Sequence, residues 1–449
     1  MKFIPNASLK TDILHKMNCT SIDKLFSDIP KEILIKKLQF ENGRSQQDTE
    51  QKLQRIAAKN STGYPFTSFL GGGIKQHYIP AVVTSILRRA EFFTAYTPYQ
   101  SEASQGFLQA MFEYQSMIAD LMQMDVANCS LYDGATALGE AALMCTRIKR
   151  KQEFLVPTNI SWEKQSILKN YTKGANITLT EIPYNQETGM IDADAYFEKM
   201  HDSVSGLYIE NPNYFGIFEE QIKKIVTTAH DHGVLVVMGI HPLALGIMKS
   251  PGELGADIAI GEGRCLGNAI DFGGSSLGLF ACKQQFLRQI PGRIIGATTD
   301  KKGKQAYCMT MQTREQHIRR GKATSNICTN EGLCALAATV YLSWLGGNGL
   351  QKLSETNFQR GQDLTRIITE IDGFSQRFTG THFNECVIQT SHDVQMLNKQ
   401  LLSQQIQGGL VLNPFYPDLR QSLLFGATEL HSVEDIQRLA SVLKEAVHV

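Results

Sequence analysis

The chain has 449 residues, enough for a sizeable hydrophobic core and, by length alone, for about three domains, although large α/β folds often form one unit. Apolar residues make up 42% and charged residues 20%, a composition that excludes extensive disorder. The 44 Lys and Arg residues balance the 44 Asp and Glu residues, so no global field attracts nucleic acid or anionic membranes. Partners must be recognised by local surfaces.

Cysteine usage and the N-terminal sequence indicate a cytoplasmic protein. The nine cysteines include no C-x-x-C pair, which argues against a zinc ribbon, and their odd number argues against a complete disulfide framework. We therefore expect reduced thiols. The first twenty residues lack the apolar stretch of a signal peptide, and no eighteen uncharged apolar residues run together. His230, His232 and His241 are expected to be structural, and no metal site is predicted.

Residues 1–65 are predicted to form a helical N-terminal arm. Apolar residues recur at helical spacing at Ile22, Leu25, Phe26 and Ile29, and again after Pro30. Glycine and aromatic residues then mark a loop from Thr62 onward, before an amphipathic helix over 104–124.

The middle of the chain, residues 66–330, is predicted to be a large α/β domain. Short apolar runs at 153–156, 177–182, 206–209, 234–238, 257–260 and 276–281 alternate with helical stretches such as 219–230. Strands separated by helices are typical of βαβ units, and hence of a mostly parallel sheet covered on both faces.

Residues 331–449 are predicted to form a connecting helix and a smaller α+β domain. The long helix should begin between 325 and 329 and end at the Gly346–Gly347 pair. Further helices are expected at 359–370, 394–402 and 432–447, the last capped by Ser432, with strands at 385–389, 410–412 and 423–425.

Three segments could carry chemistry. DGATA at residues 133–137 precedes a helix, whose first N–H groups could receive a phosphate or carboxylate, although a simple N-cap explains the same residues. The aromatic loop 94–100, TAYTPYQ, suits a small polar ligand or an interface about equally. Residues 312–326 carry several cations and suit an anion site or an acidic partner, or else form a solvated helix face.

These segments together resemble the glycine decarboxylase P-protein family, specifically the first subunit of its two-subunit form. The resemblance covers essentially the whole chain and is carried by TAYTPYQ (94–100) with SQG (104–106), DVAN (125–128) with YDGATA (132–137), ENPNYFG (210–216), PGE (251–253) and QTREQHIRRGKATSNICT (312–329). It implies the fold of type I pyridoxal-phosphate (PLP) transferases. It also implies glycine dehydrogenase (aminomethyl-transferring) activity, in which glycine is decarboxylated on PLP and its aminomethyl group passes to the lipoyl arm of the H-protein.

The resemblance also predicts that this chain lacks a covalent PLP site. It places Arg264 where the Schiff-base lysine would stand, and Met238 near the acid that pairs with the pyridinium nitrogen. A guanidinium stays protonated and is not an available amine nucleophile. We therefore expect no covalently bound cofactor here and PLP in a homologous second subunit, with this chain closing the shared glycine site.

The residues expected near that shared cleft or interface are Tyr96, Thr97, Tyr99, Gln100 and Gln105, with Arg314, His317, Arg319 and Lys322 as a second candidate surface. Two alternatives stay open. The chain could be a cofactor-free scaffold for assembly and H-protein docking, or a self-sufficient PLP enzyme that uses another lysine, such as Lys283 or Lys322.

Overall fold

The computed structural model describes residues 6–35, 38–61 and 65–447, in two compact units, Met1–Thr62 and Gly63–Val449. The start of the predicted glycine and aromatic loop, residues 62–64, lies outside the described residues. The predicted domain boundaries after residues 65 and 330 remain predictions.

The N-terminal unit contains two α-helices, α1 (Lys10–Lys16) and α2 (Gln46–Ala57), with 3-10 turns at Ala7–Leu9 and Ile22–Phe26. Ser45 caps α2 by accepting a hydrogen bond from the Asp48 N–H at 3.1 Å. None of its described residues is buried, and the predicted apolar face, Ile22 to Ile29, is open. This unit therefore has no core of its own in the described part of the chain.

The large unit contains eleven α-helices within residues 65–447. They are α3 (Ala81–Leu87), α4 (Ala90–Phe93), α5 (Gln105–Met122), α6 (Gly134–Lys149), α7 (Trp162–Gly174), α8 (Ala193–Lys199), α9 (Ile222–Asp231), α10 (Gln316–Arg319), α11 (Gly332–Thr369), α12 (Val394–Ser403) and α13 (Val433–Val447). The strands are β1 (Thr67–Ser68), β2 (Val126–Ala127), β3 (Glu153–Pro157), β4 (Thr178–Ile182), β5 (Val204–Asn211), β6 (Leu235–Ile240), β7 (Ile258–Glu262), β8 (Gly278–Cys282), β9 (Ile294–Thr299), β10 (Gln305–Thr310), β11 (Phe374–Gln376), β12 (Glu385–Thr390), β13 (Ile406–Gln407), β14 (Leu410–Val411) and β15 (Ser422–Gly426).

The main sheet confirms the predicted α/β architecture. Its order is β2-β8-β7-β6-β5-β3-β4, and neighbours from β7 to β4 are parallel, whereas β8 is antiparallel to β7 and β2. Every residue of β6 is buried, as expected for a strand covered on both faces. The chain passes from β3 to β4 on one side of β3 and then returns to place β5 on its other side. The strand order therefore reverses between β3 and β5, and α/β sheets form their ligand crevices at such points.

The C-terminal part of the large unit holds an antiparallel sheet, β11-β12-β15-β14. The three predicted strands and the helices predicted at 394–402 and 432–447 are present at nearly the predicted bounds. The predicted cap of α13 is also present, because the Asp435 N–H donates to Ser432 Oγ at 3.1 Å and the Ser432 N–H donates to Asp435 Oδ2 at 2.9 Å.

The connecting helix differs from its prediction. It begins at Gly332 and not between 325 and 329, and Gly346 (φ 62°, ψ 176°) interrupts it without ending it. Leu350, Leu364 and Ile368 after the break are buried, so tertiary packing continues the helix to Thr369 and absorbs the separate helix predicted at 359–370. By length and composition α11 could cross a membrane. This is weak evidence for a membrane span, because the core helices of soluble proteins meet the same criteria. In the most apolar 18-residue stretch of α11, 39% of the residues are buried.

Candidate functional site

The candidate site is a cavity of about 360 Å³ at the carboxyl ends of the parallel strands. Residues that follow β3, β5, β6 and β7 line one side, and the C-terminal sheet closes another. The charged and polar side chains that line it are Lys75, His77, Asp133, Ser161, Glu163, Lys164, Glu210, Asn213, His241, Glu262, Arg264, Ser276, Asn384 and Glu385. It therefore lies where an α/β sheet of this type places its ligand.

The DGATA segment forms the cap of α6 at the cavity wall. Asp133 Oδ1 accepts from the Thr136 N–H at 2.7 Å, and the Asp133 N–H donates to Thr136 Oγ1 at 3.1 Å, which completes a capping box. A Cβ on Gly134 would lie 3.2 Å from the backbone of Gly261 and of Glu262. The glycine thus lets the helix start approach the end of β7 closely.

An internal carboxylate occupies the start of α6. Glu262 Oε2 accepts from the Gly134 N–H at 3.1 Å, while Oε1 accepts from the N–H groups of Arg264 at 3.0 Å and Leu277 at 3.2 Å. Burial raises the pKa of Glu262, and these three N–H donors oppose that rise. Both alternatives for this segment are therefore present within the chain: Asp133 caps α6, and the carboxylate at the helix start comes from Glu262.

Arg264 is buried beside the cavity, with 4% of its surface exposed. Its guanidinium donates to the carbonyl oxygens of Ile270 and Gly274, each at 2.9 Å, and to Ser276 Oγ. The loop it holds includes Asp271 (φ 42°) and Phe272 (φ 55°), two residues in a left-handed conformation that costs free energy. Arg264 thus fixes a strained loop at the cavity mouth.

Two lysines line the cavity, and both face carboxylates. Lys75 Nζ lies 3.1 Å from Glu385 Oε1, an ion pair without hydrogen-bond geometry, and the same oxygen accepts from the N–H groups of Gly72 at 2.6 Å and Gly73 at 2.8 Å. Lys164 Nζ pairs with Glu210. Sequence reasoning missed both lysines, because nothing local distinguishes them from surface lysines.

Two histidines complete the polar wall. His77 Nδ1 lies 3.0 Å from Glu429 Oε2. Burial opposes ionisation of Glu429, but the hydrogen bond and charge of His77, together with hydrogen bonds from the Tyr78 N–H and the Asn357 amide, outweigh it and lower the pKa of Glu429 to about 2. Burial, followed by nearby cations including Lys75, lowers the pKa of His241 well below its ordinary value.

The residues at the expected cofactor positions do not fit a covalently bound PLP. The Arg264 guanidinium is held by its hydrogen bonds, and Met238 lies in β6 with no exposed surface, packed in the core. Lys283 Nζ lies 2.7 Å from Asp257 Oδ1, and neither Lys283 nor the exposed Lys322 lines the cavity. In residues 6–35, 38–61 and 65–447 no three His, Cys, Asp or Glu side chains are placed to hold a metal.

None of the nine predicted cleft or interface residues lines this cavity. Tyr96 and Tyr99 are 81% and 61% exposed, Gln100 is exposed and Thr97 is partly exposed. The Tyr99 hydroxyl accepts from Arg293 at 3.4 Å. Gln105 connects α5 to the β9–β10 hairpin. Its side-chain amide donates to the Tyr307 carbonyl oxygen at 2.8 Å and accepts from the Tyr307 N–H at 2.9 Å.

The second predicted group lies beside the first. Arg314 is buried, not part of an accessible surface, and donates to the carbonyl oxygens of Ile290 and Gly292, which adjoin Arg293. His317, Arg319 and Lys322 are exposed. Segment 290–293 therefore connects both predicted groups. We call the exposed and partly exposed members of the two predicted groups, Tyr96, Thr97, Tyr99, Gln100, His317, Arg319 and Lys322, the Tyr99 face.

Comparison with known proteins identifies relatives over the whole length. A family model described as "Glycine cleavage system P-protein" matches residues 1–443. A protein of Desulfitobacterium hafniense named "Probable glycine dehydrogenase (decarboxylating) subunit 1" is 44% identical over 447 residues, covering 99% of this chain and 100% of the relative. A protein of the same name from Thermococcus onnurineus is 44% identical over 445 residues, covering 99% of each chain.

Comparison with solved structures identifies the same family and the same fold. The crystal structure of a glycine decarboxylase (P-protein) of the glycine cleavage system, in inhibitor-bound form, matches with a TM-score of 0.90 and 36% identity, covering 99% of this chain and 100% of that one. A sphingosine-1-phosphate lyase of Burkholderia pseudomallei, 14% identical with a TM-score of 0.67, covers 93% of this chain and 94% of its own and shows the fold alone. The expected fold of type I PLP enzymes is thereby confirmed, and the chain belongs to the glycine cleavage system P-protein family.

Proposed function

We propose that this chain is one subunit of a glycine-decarboxylating P-protein, which releases CO₂ from glycine and transfers the aminomethyl group to the lipoyl arm of an H-protein. The observation that carries the proposal is the full-length match to relatives named subunit 1. We propose the cytoplasm as its location, on the basis of its cysteine usage.

In this proposal PLP resides in a homologous second subunit. Bound there through a lysine, PLP supplies the electron sink for decarboxylation. Four features of this chain support the division: Arg264 and Met238 occupy the expected cofactor positions, both cavity lysines pair with glutamates, and Glu262 fills the start of α6. A lysine side chain held in such an ion pair is not free to form a Schiff base with an aldehyde.

The Tyr99 face is the proposed contribution of this chain to the shared glycine site. Its phenols and hydroxyl can donate hydrogen bonds that orient a small polar substrate, while Arg319 and Lys322 can attract an acidic surface. Gln105 is proposed to position this face through its hydrogen bonds to Tyr307 and to the Ser101 carbonyl.

The competing proposal is a non-catalytic scaffold for assembly and H-protein docking. The internally paired charges of the cavity favour it, because they leave this chain no free amine there. The two proposals differ in what the PLP-bearing subunit does alone. A scaffold leaves that subunit fully active in glycine decarboxylation, whereas a cleft-completing subunit is required for the rate.

The deciding experiment measures bound PLP and glycine-dependent CO₂ exchange for each subunit separately and for the reconstituted pair. We expect exchange only from the pair, with PLP in the second subunit. A yellow colour in the isolated wild-type chain, with PLP that borohydride reduction traps on one of its lysines, would contradict the proposal. Lys75→Met and Lys164→Met variants then identify the labelled amine, since these are the lysines that line the cavity.

A further inference from the structure

Three backbone N–H groups from separate segments converge on one point in the cavity wall. They belong to Gly134 at the start of α6, to Arg264 after β7 and to Leu277 before β8, and all three donate to Glu262 at 3.0 to 3.2 Å. Such a cluster of donors is an anion-binding arrangement in proteins, and the start of a 16-residue helix strengthens it.

Two buried cations of the same cavity each carry a nitrogen without a hydrogen bond among the described residues. Arg264 Nε has no hydrogen-bond partner among the described residues, and Lys75, whose side chain is 4% exposed, touches Glu385 without hydrogen-bond geometry. Both side chains line the same cavity as Glu262. Burial and the neighbouring Asp133 carboxylate oppose a negative charge at Glu262, and the three N–H donors are what compensate it.

We infer that Glu262 fills an anion site that the fold builds at the start of α6, and so excludes phosphate-bearing ligands from a cavity that would otherwise hold them. The carboxylate takes the three donors that a phosphate oxygen would need. The excluded class includes inorganic phosphate and phosphorylated cofactors. The inference goes beyond the proposed function and holds whether or not this chain works with a second subunit.

The test titrates inorganic phosphate into the full-length chain at constant ionic strength, by calorimetry and by thermal unfolding. Wild type is expected to show no saturable binding. Glu262→Ala frees the three N–H donors and is expected to bind phosphate at least tenfold more tightly, with a saturable rise in Tm. Pyridoxal phosphate should stabilise this variant more than unphosphorylated pyridoxal does.

Two variants serve as controls. Glu262→Gln keeps the site filled and should bind no phosphate. Glu140→Ala removes a buried carboxylate that lies within α6, accepts from Ser325 Oγ at 2.8 Å and does not line the cavity, and this variant should also bind none. If Glu262→Ala does not fold, Glu262→Ser replaces it.

Saturable phosphate binding to wild type as tight as to Glu262→Ala would overturn the inference. So would a folded Glu262→Ala or Glu262→Ser chain that binds no phosphate. Either outcome would remove Glu262 from the features that support the proposed function, but neither decides that function, which is tested by PLP content and CO₂ exchange of the reconstituted pair. Conversely, if the proposed function proves wrong, the phosphate titration of the isolated chain still tests the role of Glu262.

Discussion

The cavity and the Tyr99 face lie in the same unit but differ in the environment of their polar groups, which are buried and paired in the cavity and largely exposed on the face. In the cavity, Lys75 pairs with Glu385, Lys164 with Glu210 and His77 with Glu429. On the Tyr99 face, Tyr96 and Tyr99 are mostly exposed. Buried charges must be paired inside the chain, whereas exposed groups can wait for a partner. The charges of the cavity are thus compensated within the chain, whereas the face keeps the exposed groups for which we propose a role in recognition.

The largest expected effect comes from breaking a cavity ion pair. Glu385→Gln keeps an oxygen for the Gly72 and Gly73 N–H groups but leaves the Lys75 ammonium buried without its counter-charge. We expect a loss of about 3 kcal/mol in the free energy of unfolding, measured with urea. The double variant Lys75→Met/Glu385→Gln should recover much of it. Equal stability of the single variant and wild type would contradict the assigned role of this pair.

Arg264 should matter next most, as a structural group. Arg264→Leu leaves the carbonyl oxygens of Ile270 and Gly274 without their donor, at a cost of about 2 kcal/mol. The exposed Arg319→Leu, which loses one hydrogen bond to the Thr313 carbonyl, is the matched control and should cost less than about 0.5 kcal/mol. Arg264→Lys should also be destabilised and should gain no borohydride-trapped PLP, since Glu262 remains in place.

The His77–Glu429 pair predicts loss of stability in acid. The pKa of Glu429 is lowered to about 2 in the folded chain, below its ordinary value of 4.5, so the stabilisation is complete above about pH 4.5 and is lost as the pH falls toward 2. Glu429→Gln should be less stable than wild type at pH 6 and should flatten this acid limb. Urea unfolding at several pH values measures both. An unchanged acid limb in the variant would rule out Glu429 as its source.

The smallest effect concerns activity and tests the Tyr99 face. Tyr99→Phe removes the hydroxyl that contacts Arg293, and we expect about a tenfold loss in glycine-dependent CO₂ exchange of the reconstituted pair, with unfolding unchanged. Tyr78→Phe, an exposed tyrosine outside this face, is the control. Full activity and normal assembly of Tyr99→Phe would remove Tyr99 from the proposed site.

Local patterns determined much of what could be predicted. Alternating apolar runs gave the strands of the parallel sheet, and Ser432 with Asp435 gave the cap of α13, because periodicity and capping depend on neighbours in the chain. The β9–β10 hairpin was not predicted. Of the nine candidate cleft or interface residues, Arg314 is buried, Gln105 and Thr97 are partly exposed and the other six are exposed, and their role remains a prediction.

The sequence by itself determined the fold class, the family and the cap at Asp133, since each is encoded in short contiguous segments. Only the tertiary structure decided that Glu262 occupies the start of α6, that Glu385 meets Gly72 across 313 positions, and that α11 continues past Gly346. Contacts between distant segments depend on how helices and sheets pack, and burial, which decides whether a charge needs a partner, exists only after they have packed.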